Sequence, residues 1–600
     1  MPARERPCFQ HPLRQHPLRQ WMLMIPGFLL LTPVVASAQT KPESIYSQPA
    51  VLGTGLLLLL IIGTAVVVVF LQLRPILLRL YPPMVPDSTP EADPAAPPTG
   101  EQFDELRTAL VTPRDERGLV QRVSRNVHAP LVSDKKRGQP LTDVDPKLVR
   151  LVSAYLLCAT VWLVFGTLVG WYVGIKFVRP DIDHIAWLSF GRLRPVHTNA
   201  VFWGWTSLAM LGLGNFVVPR TGSTPLYSYR IGWWTLWLIN AATVLGTLCL
   251  MAGINNGGGE YREYIWPVML LFAVGLILTF YNYFKTVANR KTPEIYISNW
   301  YIIGACGWVI ILSVIAYLPF YQNGLGETII QGYYMHQGVG MWFMTFTLGL
   351  VYYFLPLSLN KPIYSYSLGA LAFWTQLLFY TLIGTHHYVF SPIAWWLQTV
   401  AIVFSAGMFI PVLAGTINFA MTFRGSSKQV GDSYSLPFLL IGVVLYFTGS
   451  VQGSLQAFRT TNLVWHFTDF NVAHSHITMY GIVAFMLWGC IYTLLPKLTG
   501  REPRTLLVGI HFWFALIGLM AYVVALMVGG TLKGLSWMAA QPFIDSVVLM
   551  APYWLWRAIG GTLMLLAHFV FGYNLLDMLR PPRRQPAPTL QPLERHEYIA

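Results

Sequence analysis

Apolar residues fill this chain in long blocks, each about as long as the roughly 20 residues a helix needs to cross a bilayer, with short polar breaks between them. Between residues 148 and 578 the pattern divides into about twelve blocks. They lie at 149–175, 197–219, 231–252, 264–285, 298–320, 333–356, 365–388, 393–423, 434–457, 472–496, 506–530 and 549–578. The fold class is therefore an all-α integral membrane protein with a core of about twelve transmembrane helices. A separate block at 51–73, closed by Arg74, Arg79 and Pro82, predicts one extra N-terminal transmembrane helix. Residues 1–38 are basic, then apolar from Trp21 to Val35, and end in Ala36-Ser37-Ala38, which reads as a signal peptide cleaved after Ala38; a retained anchor is the alternative. Residues 74–147, rich in Pro and charge, read as a cytoplasmic linker, and 579–600 as a cytoplasmic tail.

Composition changes little in this picture. With 54% hydrophobic and 11% charged residues and a mean hydropathy of +0.50, the chain is too apolar for an ordinary soluble protein. The net charge of +14 is dispersed among loops, so it signals topology and not nucleic acid. The predicted inward loops carry most of the bases, among them Arg220, Arg290, Lys291, Lys361, Arg424, Lys497, Arg501 and Arg504, so both ends of the core face the cytoplasm. Five cysteines, four of them inside apolar blocks, form no C-x-x-C and provide neither a cysteine-ligated cluster nor a covalently attached haem.

Six histidines fall within or at the ends of the blocks: His197 opens the second, His336 lies in the sixth, His386 and His387 end the seventh, and His474 and His476 open the tenth. In an alternating topology all six reach the outer side of the membrane at one depth. Ionisable groups inside a bilayer are costly without a partner, and imidazole suits copper and haem iron. His474 and His476, two apart on a helix, point roughly 200° from each other and so address different centres. The set divides into two ligands for a six-coordinate haem (His197 and one of the tenth-block pair), one for a five-coordinate haem, and three (His336, His386, His387) for another metal. The adjacent pair requires a distorted helix end.

Four motifs carry a family resemblance: Arg194-Pro-Val-His197-Thr-Asn199, Tyr334-Met-His336-Gln-Gly-Val-Gly340, Tyr380-Thr-Leu-Ile-Gly-Thr-His386-His387-Tyr388 and Ala473-His474-Ser475-His476. Residues 145 to 580 resemble the catalytic subunit I of the haem-copper oxygen reductases, whose fold has twelve spans. The resemblance implies His197 and His476 on a low-spin haem b, His474 on a high-spin haem b, and His336, His386 and His387 on a copper ion. In the mitochondrial-like branch a tyrosine stands four residues after the first copper histidine; here that position is Gly340. Tyr380, seven residues before His387, is about two helical turns away on nearly the same face. This is similar to cbb3-type cytochrome c oxidase, whose cross-linked tyrosine comes from that helix.

Nitric oxide reductases, the nearest alternative, hold non-haem iron with a glutamate at the position of Gly340; a twelve-helix secondary transporter is the alternative from another class. One departure from the cbb3-type pattern is Gln452, where a glutamate is usual. Arg194, Arg459 and His466 are candidates for the haem propionates, and Glu260 for a calcium ion. The resemblance further implies reduction of O2 to water in the bacterial inner membrane, with proton uptake and pumping. Haem c-containing membrane subunits and cytochrome c would be the electron donors. Thr375, Gln376 and residues 364–367 are candidates for a proton path to Tyr380.

Overall fold

The structure is a computed structural model that describes residues 144–318 and 323–580. The proposed signal peptide, the extra helix, the linker up to residue 143 and the tail beyond Arg580 lie outside the described residues. Twelve helices form the core: α1 (Pro146–Val178), α2 (Phe190–Thr221), α3 (Tyr229–Ala252), α4 (Trp266–Ala288), α5 (Ile297–Tyr317), α6 (Gly324–Leu359), α7 (Tyr366–Tyr380), α8 (Trp395–Phe423), α9 (Leu436–Gln456), α10 (Asp469–Thr499), α11 (Thr505–Met538) and α12 (Phe543–Leu579). No strand occurs among the described residues.

Local chemistry sets the ends. Asp145 caps α1 by accepting the Lys147 amide at 2.8 Å, and Ser228, Ser365 and Thr468 cap α3, α7 and α10 in the same way. Gly253 and Gly500 close α3 and α10 with φ of 85° and 71°, a left-handed turn that glycine takes without strain. Eleven of the helices are long and apolar enough to span a membrane; α7, with 15 residues, is the short one.

Three helices sit innermost. The apolar windows of α2, α6 and α10 are 94%, 89% and 89% buried, against 44–50% for the other long helices. Each inner helix opens into a π-helical stretch: Ala200–Thr206 in α2, Gly338–Met344 in α6 and Ile477–Ala484 in α10. Each stretch packs on the helix that precedes it, α1, α5 and α9 respectively. Each also begins within three residues of a histidine singled out above: His197, His336 or His476. Such wide turns are associated with functional sites because they reset the facing of neighbouring side chains.

The seventh span differs from expectation. The apolar pattern predicts 365–388, but the helix stops at Tyr380 and the chain crosses to a separate 3₁₀ turn, Gly384–Tyr388. Here Gly384 lies against the Tyr333 backbone of α6, and Gly332 lies 2.8 Å, measured from an ideal Cβ, from the Gly384 carbonyl. A continued helix with side chains at these positions has no room. Helix α8 is interrupted at Met408, three residues before Pro411, whose missing N–H removes a donor.

Candidate metal and haem site

Three of the six histidines converge on one point. His336 Nδ1 lies 2.9 Å from His387 Nε2 and 3.1 Å from His386 Nε2. All three ligand atoms fall within 4.8 Å of one another, the only such group among the described residues. The Ser405 hydroxyl donates to the Ala401 carbonyl at 2.7 Å, so its oxygen accepts the Nδ1 proton of His386 at 2.7 Å. That fixes the tautomer and leaves the His386 Nε2 lone pair free for a metal. The spacing predicted a distorted helix end for the adjacent pair; the 3₁₀ turn supplies it.

The other three histidines are oriented by the same device. His197 Nδ1 bonds the Gly166 carbonyl at 2.7 Å, His476 Nδ1 the Val472 carbonyl at 2.8 Å, and His474 Nδ1 the Gln452 Oε1 at 2.9 Å. A carbonyl can only accept, so each ring carries its proton on Nδ1 and offers Nε2. The rings of His197 and His476 are nearly parallel, 14° apart, with centroids separated by 6.4 Å. Two metal–nitrogen bonds of about 2 Å, plus the half-width of each ring, give about 6 Å, so one iron fits between them. Space is cleared by glycine: a Cβ at Gly170 would enter the His197 ring, and one at Gly453 would lie 3.1 Å from His474 Nε2. As the sequence predicted, His474 and His476 address different partners, His474 facing Gln452 on α9 and His476 facing His197 on α2.

Tyr380, the last residue of α7, has its ring centroid 5.3 Å from that of His336. It arrives by a route other than the predicted one, because no helix connects it to His387. The space it fills belongs to Gly340: a Cβ there would coincide with the Tyr380 ring. Residues 150–563 match the family described as cytochrome c and quinol oxidase polypeptide I.

The chain belongs to that family.

Among haem-copper oxidase subunits I it is cbb3-like, and it is an oxidoreductase. It is 30% identical over 444 residues to the cbb3-type cytochrome c oxidase subunit CcoN1 of Stutzerimonas stutzeri, covering 71% of this chain and 94% of that one. It is 29% identical over 472 residues to the cytochrome c oxidase subunit 1 homolog of Agrobacterium tumefaciens, covering 74% and 87%. In fold it resembles a solved haem-copper terminal oxidase dimer, with a TM-score of 0.63, 18% identity, and coverage of 74% of this chain and 86% of that one. The family implies haem and copper as cofactors, and the histidines described above suit both.

The remaining sequence candidates are scattered. Arg194 and Glu260 form an ion pair with each other. Arg459 lies 3.9 Å over the Trp395 ring and donates to Thr399 Oγ1 at 2.8 Å. His466 stacks on Phe467 at 3.9 Å; it lies in the loop before α10, where burial lowers its proton affinity and a bond to the His387 backbone opposes that shift. Of the residues suggested for a proton path, Gln376 is buried and donates to Thr345 Oγ1 at 2.6 Å, and Thr345 in turn bonds the Gly340 carbonyl at 2.9 Å. Thr375 bonds its own helix, while Tyr364 and Tyr366 are exposed.

Several residues that contact or position the candidate ligands escaped the sequence reading. Ser405 and Gly166 act only through hydrogen bonds across helices, and no spacing reveals them. Thr345 and the buried Tyr446, the latter within electrostatic reach of Tyr380, have no local signature either. Gly340 did carry a signal: the absence of a side chain there leaves a volume that the Tyr380 ring fills.

Proposed function

We propose that this subunit reduces O2 to water in a bacterial inner membrane as part of a terminal respiratory oxidase, using electrons from cytochrome c through haem c-containing membrane subunits. When bound, two haems b and one copper ion supply the redox chemistry. His197 and His476 hold the low-spin haem, His474 the high-spin haem, and His336, His386 and His387 the copper. What supports the reading most directly is Tyr380 packed against His336 in the volume left by Gly340. A phenol there is positioned to give up the proton on its Oη at the point where oxygen is reduced. Gln376 and Thr345, below it, orient the polar environment through which a replacement proton arrives from the cytoplasmic side, consistent with coupling to proton uptake and pumping.

For nitric oxide reduction the metal group would need a carboxylate at position 340, where Tyr380 fills the space. The calcium reading of Glu260 gains no support, since its carboxylate is engaged by Arg194. The deciding experiment is the metal content of the purified complex together with its haem count. One copper per two haems b, with all iron present as haem, supports the oxidase. Non-haem iron in place of copper would overturn it.

A further inference from the structure

Two further histidines lie deep in the core, outside the six-histidine site. His511 of α11 and His568 of α12 are 0% and 1% exposed. His511 Nδ1 lies 3.1 Å from Tyr492 Oη of α10, which also accepts from Asn574 Nδ2 of α12 at 3.3 Å. His568 Nδ1 lies 2.7 Å from Thr167 Oγ1 of α1. The Trp488 ring joins the two histidines, with its centroid 4.6 Å from that of His511 and 5.4 Å from that of His568. Each bond engages one side of its residue only. His511 Nε2, His568 Nε2, Asn574 Oδ1 and Trp488 Nε1 are buried and bond no protein atom. A buried polar group without a partner is costly, and four of them in one contiguous cluster call for a shared partner.

Asn574 sets this cluster apart from its counterparts elsewhere in the bundle. In the pair α3 and α4, Asn282 accepts the Ser228 amide at 2.9 Å and donates to the Ser228 carbonyl at 3.0 Å. In the pair α7 and α8, Asn418 does the same to Ser365, at 2.9 and 2.8 Å. Each asparagine stands in the last turns of its helix and ties down the start of the helix before it. Asn574 stands in the last turns of α12, but α11 opens at Arg504 without a side-chain cap, and Arg501 holds the loop to Asp577 of α12 at 3.1 Å instead. The Asn574 amide is thereby released from the clamp and turns to Tyr492 in the interior. The open groups are of both kinds, since the indole N–H can only donate and the amide oxygen can only accept. An anion would meet the amide oxygen and a cation the indole N–H, so the partner that fits is a small neutral molecule that both donates and accepts, which is water. The cluster borders the haem ligands: Thr167 follows Gly166, whose carbonyl holds His197. Tyr480, with its ring centroid 5.4 Å from that of His568, is about one helical turn beyond His476 on α10.

We propose that Trp488, His511, His568 and Asn574 enclose an internal-water site whose hydrogen bonds follow the charge on the low-spin haem. The coupling to the haem rests on the reading of His197 and His476 as its ligands. In a medium of low dielectric constant an added charge is poorly screened, so the water and the hydroxyls of Thr167 and Tyr480 reorient toward it. Water exchanges through the end of the cluster at Asp577, beside the Arg504 and Arg580 side chains, which are 55% and 62% exposed.

The test uses the purified oxidase complex in two measurements. A density map of the wild type is expected to show ordered water within hydrogen-bond distance of His511 Nε2 and Asn574 Oδ1. A map in which these atoms meet only protein would overturn the site. Infrared difference spectra across reduction of the low-spin haem are recorded in ordinary water and in water carrying the heavy oxygen isotope. The wild type is expected to show O–H bands that shift with the isotope. N574L removes the amide acceptor and is expected to lose these bands while keeping the low-spin haem absorption. If N574L does not assemble, H511F, which keeps a flat ring without its nitrogens, decides in the same way. Isotope-sensitive bands absent from the wild type, or equal in wild type and variant, would overturn the coupling. A wild-type complex with ordered water but no six-coordinate haem would instead overturn the reading of His197 and His476, and the coupling with it, while the water site stands.

Discussion

Gly340 and Tyr380 occupy one volume between them: the Cβ that any other residue would carry at position 340 coincides with the Tyr380 ring. The tyrosine is partly buried at the point where α7 ends, its ring in contact with that of His336, so it cannot swing clear without opening that contact. Gly340→Ala is therefore expected to displace the phenol while leaving His336, His386 and His387 in place. Overpacking of this kind costs about 1–3 kcal/mol, which a twelve-helix core tolerates. Oxygen reduction should fall at least about tenfold, a loss of about 1.4 kcal/mol in transition-state stabilisation. Copper and haem contents should be unchanged. Wild-type turnover in G340A would mean that the ring position is irrelevant.

Ser405 fixes His386 from behind. Its hydroxyl is anchored to the Ala401 carbonyl and accepts the His386 Nδ1 proton at 2.7 Å. Ser405→Ala removes that acceptor without touching any ligand. Loss of such an orienting partner typically weakens metal affinity about 10–100-fold. Copper should be stripped from S405A at correspondingly lower chelator concentrations, with both haem spectra intact. Equal copper retention in the variant and wild type would show that the ring is held by packing alone.

Gln452 accepts the Nδ1 proton of His474 at 2.9 Å while its amide reaches Met527 Sδ at 3.5 Å. A neutral acceptor leaves His474 an ordinary imidazole. A carboxylate at this position draws the proton more strongly and makes the ring a better donor to iron. Gln452→Glu should lower the midpoint potential of the high-spin haem and leave that of the low-spin haem in place, as read by spectroscopic titration. A shift in the low-spin haem alone would show that His474 ligates the other site.

The twelve helices, the grouping of His336, His386 and His387 and the divergence of His474 from His476 were legible because each rests on a local rule: apolar length, a residue type too costly to bury without a partner, and helical spacing. The end of α7 was not legible. Its apolar run continues to residue 388, and what stops the helix at Tyr380 is the backbone of α6 at Gly332 and Tyr333, distant in sequence. For the same reason the geometry that the spacing predicted for Tyr380, one helix shared with His387, is not the one the chain adopts, although its ring still lies 5.3 Å from that of His336. Arg194 and Glu260 were each read singly because no spacing indicates that residues 66 apart form an ion pair.

Glu263 lies in the loop between α3 and α4, 5% exposed, and accepts from Asn199 Nδ2 at 2.9 Å. Burial lifts its carboxyl from an ordinary 4.5 to about 7, and the Asn199 bond only partly offsets this. The folded chain therefore holds the proton more tightly than the unfolded chain does. Stability from this group is complete below the unfolded value of 4.5 and is lost as pH rises through about 7. The loss between about pH 5 and pH 8 is of order 3 kcal/mol at most. Thermal unfolding of the detergent-solubilised complex should show a midpoint that falls across this window in the wild type. Glu263→Gln keeps an acceptor for Asn199 and cannot ionise, so its midpoint should be flatter over the same range. Parallel curves for the two proteins would mean that Glu263 is already ionised at pH 5 and that its burial is relieved by a partner. Because Asn199 stands two residues after His197 on α2, the low-spin haem spectrum recorded in the same titration reports whether ionisation of Glu263 is felt at the haem ligand.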